Sequence, residues 1–548
     1  MKKIDWIILA VITIFSIFIL KDLYKSGFYT SHDGPHQVVR LYYFDQAVRD
    51  GQIPPRWVGG LLNGFGYPLF IFSYHFPWFI AESMLLLGLS IIDSIKMTFL
   101  IGFILSGFTM YFFQKEVFGR LAAISAVTVY LLAPYRFSNI FVRAAIGDAT
   151  IFIFPPLLFL SVYKLKTTNN KVWMWISLAA VSIAGMLLSH AMVFLLFFLA
   201  YFMYFVWSFI LSKKRILILR NYITSTFLGF CLAGYYFIPS FIERNFTKFE
   251  SIMKSTFVGN TFLNLKELIY SPWGYGMMHA KEGGMSFQVG ITQWIVVVLS
   301  GLLIIYYLVK KDKRNNKHIT EAGFYLIIFI LSIILMLPIS LPFWKMISDF
   351  VIVDFTWRIL PVTIFSTAVL AGFVISKIRF HVFIALFILL AALYTNRNHI
   401  RINKSLDWSI PFYLKLEKTT NSYDEYTPKW VGSEIVDKPP KNKIEFSSRK
   451  AEIRIIKESS NLLDFTINSD ERGMVKVNTL YYPGWNATVN SQKTQINSDA
   501  GLINIPVDAG ASHIILKFGE TPLRLASDLV TLSAIFFLIY KIFKNYNK

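Results

Sequence analysis

The stretch Ser31-His32-Asp33-Gly34-Pro35-His36 sets one carboxylate between two imidazoles, directly after the first apolar run of the chain. Ionisable groups at a membrane edge are costly to desolvate, so a cluster of them marks a candidate site for chemistry. Asp33, His36 and Arg40 are spaced by three and four, which puts them on one face if a helix begins there. From Pro35 to Asp50 the residues Val38, Val39, Leu41, Tyr42, Phe44, Ala47 and Val48 recur at helical spacing, so a short amphipathic helix is expected at the membrane surface. Asp33 ahead of it, with Pro35 in the first turn, also fits a helix cap; capping and catalysis are compatible.

Two more charged groups stand beside aromatic residues. One runs from Tyr135-Arg136-Phe137 through Arg143 to Gly147-Asp148; the other is Asp354-Phe355-Thr356-Trp357-Arg358, where Trp357 suits an interfacial aromatic belt. A guanidinium is a planar fork that matches phosphate oxygens, which makes Arg56, Arg136, Arg143 and Arg358 candidates for a phosphorylated lipid headgroup. The bland alternatives are a local Arg143–Asp148 ion pair and snorkelling to bilayer phosphates. His190 closes an apolar run at Ser189-His190, where a lone histidine is more often structural. His32, Asp33, His36 and Asp148 could ligate Mg²⁺ or Mn²⁺, although their spacing follows no ligand signature. No GxxxxGK[ST] loop and no Ser-His-Asp signature occurs, so the motifs give no ground for an ATPase or a hydrolase.

The elements that must position these residues are membrane helices. Of 548 residues, 55% are hydrophobic and 17% aromatic, and the apolar residues come in long runs. This pattern predicts a polytopic α-helical membrane protein. Ile4–Leu20 lacks a small-residue cleavage site and is expected to stay as an anchor. The lone Cys231 excludes an internal disulfide.

The formal charge of +21 would suit a nucleic-acid partner if it were clustered on one surface. Residues 395–522 carry 17 basic against 15 acidic side chains, so nearly all of the excess falls in the membrane part. It sits in short loops: Lys164, Lys166 and Lys171; Lys213, Lys214, Arg215 and Arg220; Lys310, Lys311, Lys313, Arg314 and Lys317; and the tail Lys541–Lys548. By the positive-inside rule these are cytoplasmic, with both termini, and no nucleic-acid partner is expected.

The opposite loops, 21–68, 135–148, 241–286 and 339–357, are then extracytoplasmic. A parity conflict follows, because three apolar runs (69–90, 95–113 and 119–134) separate two loops assigned to one side. One run must dip without crossing or hide a second crossing, and about 12 to 14 spans are expected. Residues 1–394 form the multi-span part, and 523–548 the last helix and basic tail. Between them, 395–522 shows period-2 stretches such as Ile453-Arg454-Ile455, Phe465-Thr466-Ile467 and Val475-Lys476-Val477. A small extracytoplasmic β-sandwich is expected there.

The ordered set of motifs resembles the GT-C superfamily of membrane glycosyltransferases. More narrowly, it resembles the YfhO-like proteins and the 6-pyruvoyl-tetrahydropterin synthase-related membrane proteins. It runs from Ser31–His36 through Asp50-Gly51-Gln52-Ile53-Pro54-Pro55-Arg56-Trp57 and Gly64–Pro68 to Tyr135–Asp148 and Ser189-His190. It continues through Ser271-Pro272-Trp273-Gly274, Phe287–Gly290 and Phe355–Arg358 to Tyr481-Tyr482-Pro483-Gly484-Trp485 and Gly501-Leu502-Ile503. The resemblance implies an inverting transferase on the outer membrane face. Its donor would be a polyprenyl-phosphate-linked sugar and its acceptor a cell-surface glycan or glycolipid.

On this resemblance Asp33 takes the role of catalytic acid residue in the first outer loop. Asp148 takes that of the second acid, a position where related sequences carry Glu. His32, His36, Arg40, Arg56, Arg136, Arg143, His190, Trp357 and Arg358 are the substrate-binding candidates. An inverting transfer needs a base for the acceptor hydroxyl, and a lipid phosphate leaving group needs cations but no nucleotide. A transporter or flippase of a lipid-linked glycan is the competing reading, since it too would bind lipid phosphate. It would require charges at mid-membrane depth.

Overall fold

The computed structural model describes residues 2–168, 170–255, 261–278, 283–311, 316–348, 354–447 and 451–546. Lys313, Arg314, Lys548 and parts of the loops 241–286 and 339–357 lie outside these residues. Among the described residues, eight helices are long and apolar enough to cross a membrane, or ten if two bent pairs each count as one span. The pairs are Arg120–Leu131 with Pro134–Arg143, bent by 52°, and Arg215–Leu232 with Gly234–Phe246, bent by 76°. The expected 12 spans are reached only by counting Lys3–Ile19, of 17 residues, and His381–Asn396, of 16. At 1.5 Å per residue each is about 25 Å long, slightly short of a hydrocarbon core of about 30 Å.

The parity conflict is resolved in the run 69–90. It breaks into helices Leu69–Phe72 and Phe76–Leu86, the longer only 11 residues. That is about 16 Å of helix, too short to cross. Ile91–Phe118 and the bent pair after it then make two passes and return the chain to the end it left. Backbone bonds prove the return: the N–H groups of His32 and Asp33 donate to the carbonyls of Val142 (3.0 Å) and Arg143 (2.8 Å).

The two ends of the bundle differ in charge. At one end the buried Asp5 accepts from Lys115 (2.8 Å), Arg120 (3.0 Å) and the Tyr111 hydroxyl (2.7 Å). Lys164 pairs there with Glu116, and Lys166 with Glu321. Asp148, His190 and Arg358 sit at the opposite ends of their helices, on the side of the first loop.

The block before the last helix holds two antiparallel sheets. One orders the strands Ala451–Ser459, Leu462–Ser469, Gly510–Phe518, Trp485–Val489 and Gln492–Thr494; the other orders Ile444–Phe446, Gly473–Leu480 and Leu502–Val507. Alternate residues such as Phe465, Ile467, Val475, Val477, Ile503, Ile505, Ile514 and Leu516 are buried, as half-buried strands require. Residues 397–443 depart from the expected β character. They run as short helices and turns along the first loop, with Ser405–Leu406 pairing to Phe28–Tyr29.

Arg56 belongs to this assembly and not to a headgroup site. Its guanidinium, 2% exposed, bonds Asp528 (3.0 Å), Glu520 (3.2 Å) and the Tyr235 carbonyl (2.8 Å). The last helix supplies Asp528, so Arg56 ties the first loop to it. The buried Arg524 does the same for the helix Gly234–Glu243, reaching both carboxylate oxygens of Glu243 at 2.8 and 2.7 Å.

Candidate active site

A cavity of about 450 Å³ lies between the first loop, the turn before Asp148 and the segment Thr420–Tyr426. Asp33 stands at its edge, at the N-cap position of the helix Gly34–Arg49. Its side chain makes no capping bond, and among the described residues its carboxylate has no hydrogen-bond partner. Only the backbone of Asp33 is tied down, by its bond to Arg143. Gly34 makes the close turn possible: a Cβ there would stand 2.3 Å from the Ser31 hydroxyl and 2.6 Å from the Phe28 ring.

Asp148 is fully buried in the wall of the same cavity. The helix Pro134–Phe137 opens into a wide π-helical turn, Ser138–Arg143, that ends at Ala144 with φ +54°. This turn swings Arg143 back onto Asp148, and the ion pair is made at 2.5 Å. Among the described residues Arg143 donates through Nη1 alone, to Tyr135, Asn139 and Asp148, and its guanidinium lies over the Trp357 ring at 4.8 Å. Its Nε and Nη2 donors remain unspent among the described residues.

Gly147 sets the second contact. A Cβ there would stand 2.4 Å from the Ser189 carbonyl, so only glycine lets the two helix ends approach. His190 Nε2 then lies 3.3 Å from Asp148 Oδ1 and 2.9 Å from Arg358 Nη1. Arg358 also donates to Asp354 (2.7 Å), while its Nε is buried with no partner. Burial, with Arg358 adjacent, pushes the His190 imidazole down to about 4, the nearby Asp148 charge only partly opposing it. His190 is therefore neutral at pH 7, and its Nδ1 accepts from the Val193 N–H (3.4 Å) at the start of the next helix.

The remaining candidates divide by what their polar atoms already do. His32 turns Nε2 to the carbonyls of Tyr275 (3.3 Å) and Gly276 (3.1 Å), and His36 Nδ1 bonds Glu417. Arg40 holds Thr420 and Asn421. These three line the cavity but are committed to protein partners. Arg136 lies away from it, 1% exposed among the rings of Phe103, Tyr130 and Phe152, with Ser106 as its hydrogen-bond acceptor (2.9 Å). Three of the four candidate metal ligands, His32, His36 and Asp148, are thus engaged elsewhere. No group of three or more His, Cys, Asp or Glu side chains suited to an ion occurs among the described residues. His32, Asp33, His36 and Asp148 are thus not gathered as one ligand set among the described residues.

Sequence reasoning missed Gln37, Tyr74 and the segment Thr420–Tyr426, all of which line the cavity. Within that segment Glu425 is buried, with Oε1 bonded to Asn421 and Oε2 unpartnered. The available signal was the polar run Thr419–Glu425, which breaks the β-like alternation; Thr420 and Asp424 both take positive φ.

No family model matches the chain. An uncharacterized protein of Lactococcus lactis subsp. cremoris (strain MG1363) is 25% identical over 192 residues, 34% of this chain and 30% of that protein. Among solved structures, arabinofuranosyltransferase AftD from Mycobacteria superposes on 76% of this chain with 12% identity and a TM-score of 0.48, covering 27% of AftD. ArnT from Cupriavidus metallidurans bound to undecaprenyl phosphate superposes on 76% of this chain and 77% of its own, with 12% identity and a TM-score of 0.40. The chain spans less than a third of the length of the Lactococcus protein and of AftD.

Proposed function

We propose that the chain is an inverting GT-C glycosyltransferase of the YfhO-like kind, moving a sugar from a polyprenyl-phosphate donor to a glycan or glycolipid on the outer membrane face. The observation that carries this reading is one cavity holding an unpaired carboxylate, Asp33, and a guanidinium, Arg143, with unspent donors. Asp33 takes the proton of the acceptor hydroxyl as that oxygen attacks the anomeric carbon. The bond from that carbon to the phosphate oxygen breaks, and the polyprenyl phosphate leaves with the electron pair. Arg143 and Arg358 stabilise the departing phosphate. Asp148 acts through them: buried between two arginines and His190, it positions the cationic wall.

The charge at the two ends of the bundle supports the outer face. The basic residues Lys115, Arg120, Lys164 and Lys166 lie opposite the cavity, and the positive-inside rule favours a cytoplasmic place for that end, with the cavity and the two sheets outside. The test is transfer from a polyprenyl-phosphate sugar by the purified full-length protein in lipid nanodiscs, together with Asp33→Asn. Loss of transfer with unchanged membrane expression supports the reading, and wild-type transfer by Asp33→Asn sinks it. A flippase would instead move the donor across the bilayer with its sugar still attached.

A further inference from the structure

A second cavity, of about 520 Å³, lies where the first loop meets the two sheets. Its walls include Tyr42, Tyr43, Gln46, Asn63, Glu458 and Trp485. Tyr42 and Tyr43 are half-buried, with ring centroids 5.1 Å apart and an edge-to-face angle of 81°. Gly60 makes room for Tyr43, since a Cβ there would stand 2.4 Å from its hydroxyl. Among the described residues the hydroxyls of Tyr42 and Tyr43, the Gln46 amide and the Glu458 carboxylate make no hydrogen bond. The Trp485 indole N–H is likewise buried without a partner.

The charge of this cavity argues against an anionic ligand. Its one lysine, Lys443, donates to the carbonyls of Gly64 (2.9 Å) and Asn478 (3.3 Å) and is held below its ordinary pKa by burial. No arginine lines the cavity. Aromatic rings with uncommitted hydroxyl, amide, indole and carboxylate groups around them suit a neutral ligand that has an apolar C–H face and a rim of hydroxyls, which describes a sugar ring.

The helix Gly34–Arg49 connects this cavity to the first. Asp33, His36, Gln37 and Arg40 line one, and Tyr42, Tyr43 and Gln46 the other. Tyr43 follows Arg40 by three positions, on the same side of the helix, so the two sets are about one turn apart. We propose that the second cavity binds a neutral oligosaccharide, the part of an acceptor glycan that lies beyond the sugar presented to Asp33. The acceptor role rests on the transferase reading above; carbohydrate binding does not.

The test uses the full-length protein in nanodiscs and calorimetric titration with neutral homo-oligosaccharides of one to six hexose, deoxyhexose or N-acetylhexosamine units. At least one series is expected to bind more tightly as it lengthens, and Tyr42→Ala/Tyr43→Ala to weaken that binding roughly tenfold. Glu458→Gln, an exposed change on a sheet edge, is expected to weaken it severalfold with no change in thermal unfolding. Absence of binding across the panel, binding indifferent to length, or binding that survives all the cavity variants would each overturn the proposal. If binding follows the cavity variants but wild type transfers no sugar, the cavity assignment stands and the transferase reading falls.

Discussion

Asp33 occupies the N-cap position without capping, and that is its chemical significance. A carboxylate that satisfies no backbone N–H is free to take a proton from a substrate. Asp33→Asn is expected to lower the transfer rate by about 10² to 10⁴, the usual contribution of a positioned base, with thermal stability unchanged. His190 carries a pH dependence whose sign is fixed by burial. Its folded value of about 4 lies below the ordinary 6.5, so between them the native protein binds fewer protons than the unfolded chain. The stability it contributes is full above pH 6.5 and is lost as pH falls toward 4. Thermal unfolding at pH 4.5 and 7 should differ less in His190→Gln than in wild type; an identical pH dependence would contradict this. At this scale the sequence exposed the arginines and offered the local Arg143–Asp148 ion pair, but not the partners of Arg56. Arg56 and Arg143 look alike as outer arginines near aromatics, yet one meets Asp528 some 470 positions away and the other meets Asp148 five positions away.

Two elements are held by contacts with no slack. Gly147 lets the helix carrying Asp148 abut Ser189, and the atom a methyl would strike is a backbone carbonyl that cannot rotate away. Gly147→Ala is expected to cost about 1 to 3 kcal/mol in unfolding and to reduce transfer by displacing Asp148 from His190. The last helix is tied by the buried Glu243–Arg524 pair. Glu243→Ala leaves that guanidinium uncompensated, with an expected loss of about 3 to 5 kcal/mol, read as a lower melting temperature. The helix Gly34–Arg49 and the strands around 465 and 475 were legible because period is a local property, whereas the strand around 453 forms with Ile455 and Ile456 exposed. The segment 397–443 was not, because its turns are set by partners such as Arg40, Tyr67 and Phe28 on the first loop.

At the scale of the whole molecule, the separation of basic residues from the cavity predicts orientation. In a background where Cys231 is replaced by Ser, Asp470→Cys on the sheets should react with an impermeant maleimide on intact cells. Lys213→Cys in the basic loop should react only after permeabilisation, and the reverse pattern would place the cavity in the cytoplasm.

The sequence by itself determined the membrane class and the presence of a β-rich block before the last helix, since hydropathy runs and alternation are read over a few neighbouring residues. Only the tertiary structure decided which charges meet. It turned the run 69–90 into a dip, so that the first loop and the Arg143 turn share an end and bond through their backbones. It spent His32, His36, Arg40 and Arg56 on protein partners and left Asp33 unpaired. The reason is physical: a buried charge must find a counter-charge or a hydrogen bond, and which neighbour supplies it depends on contacts that span hundreds of residues and that no local pattern encodes.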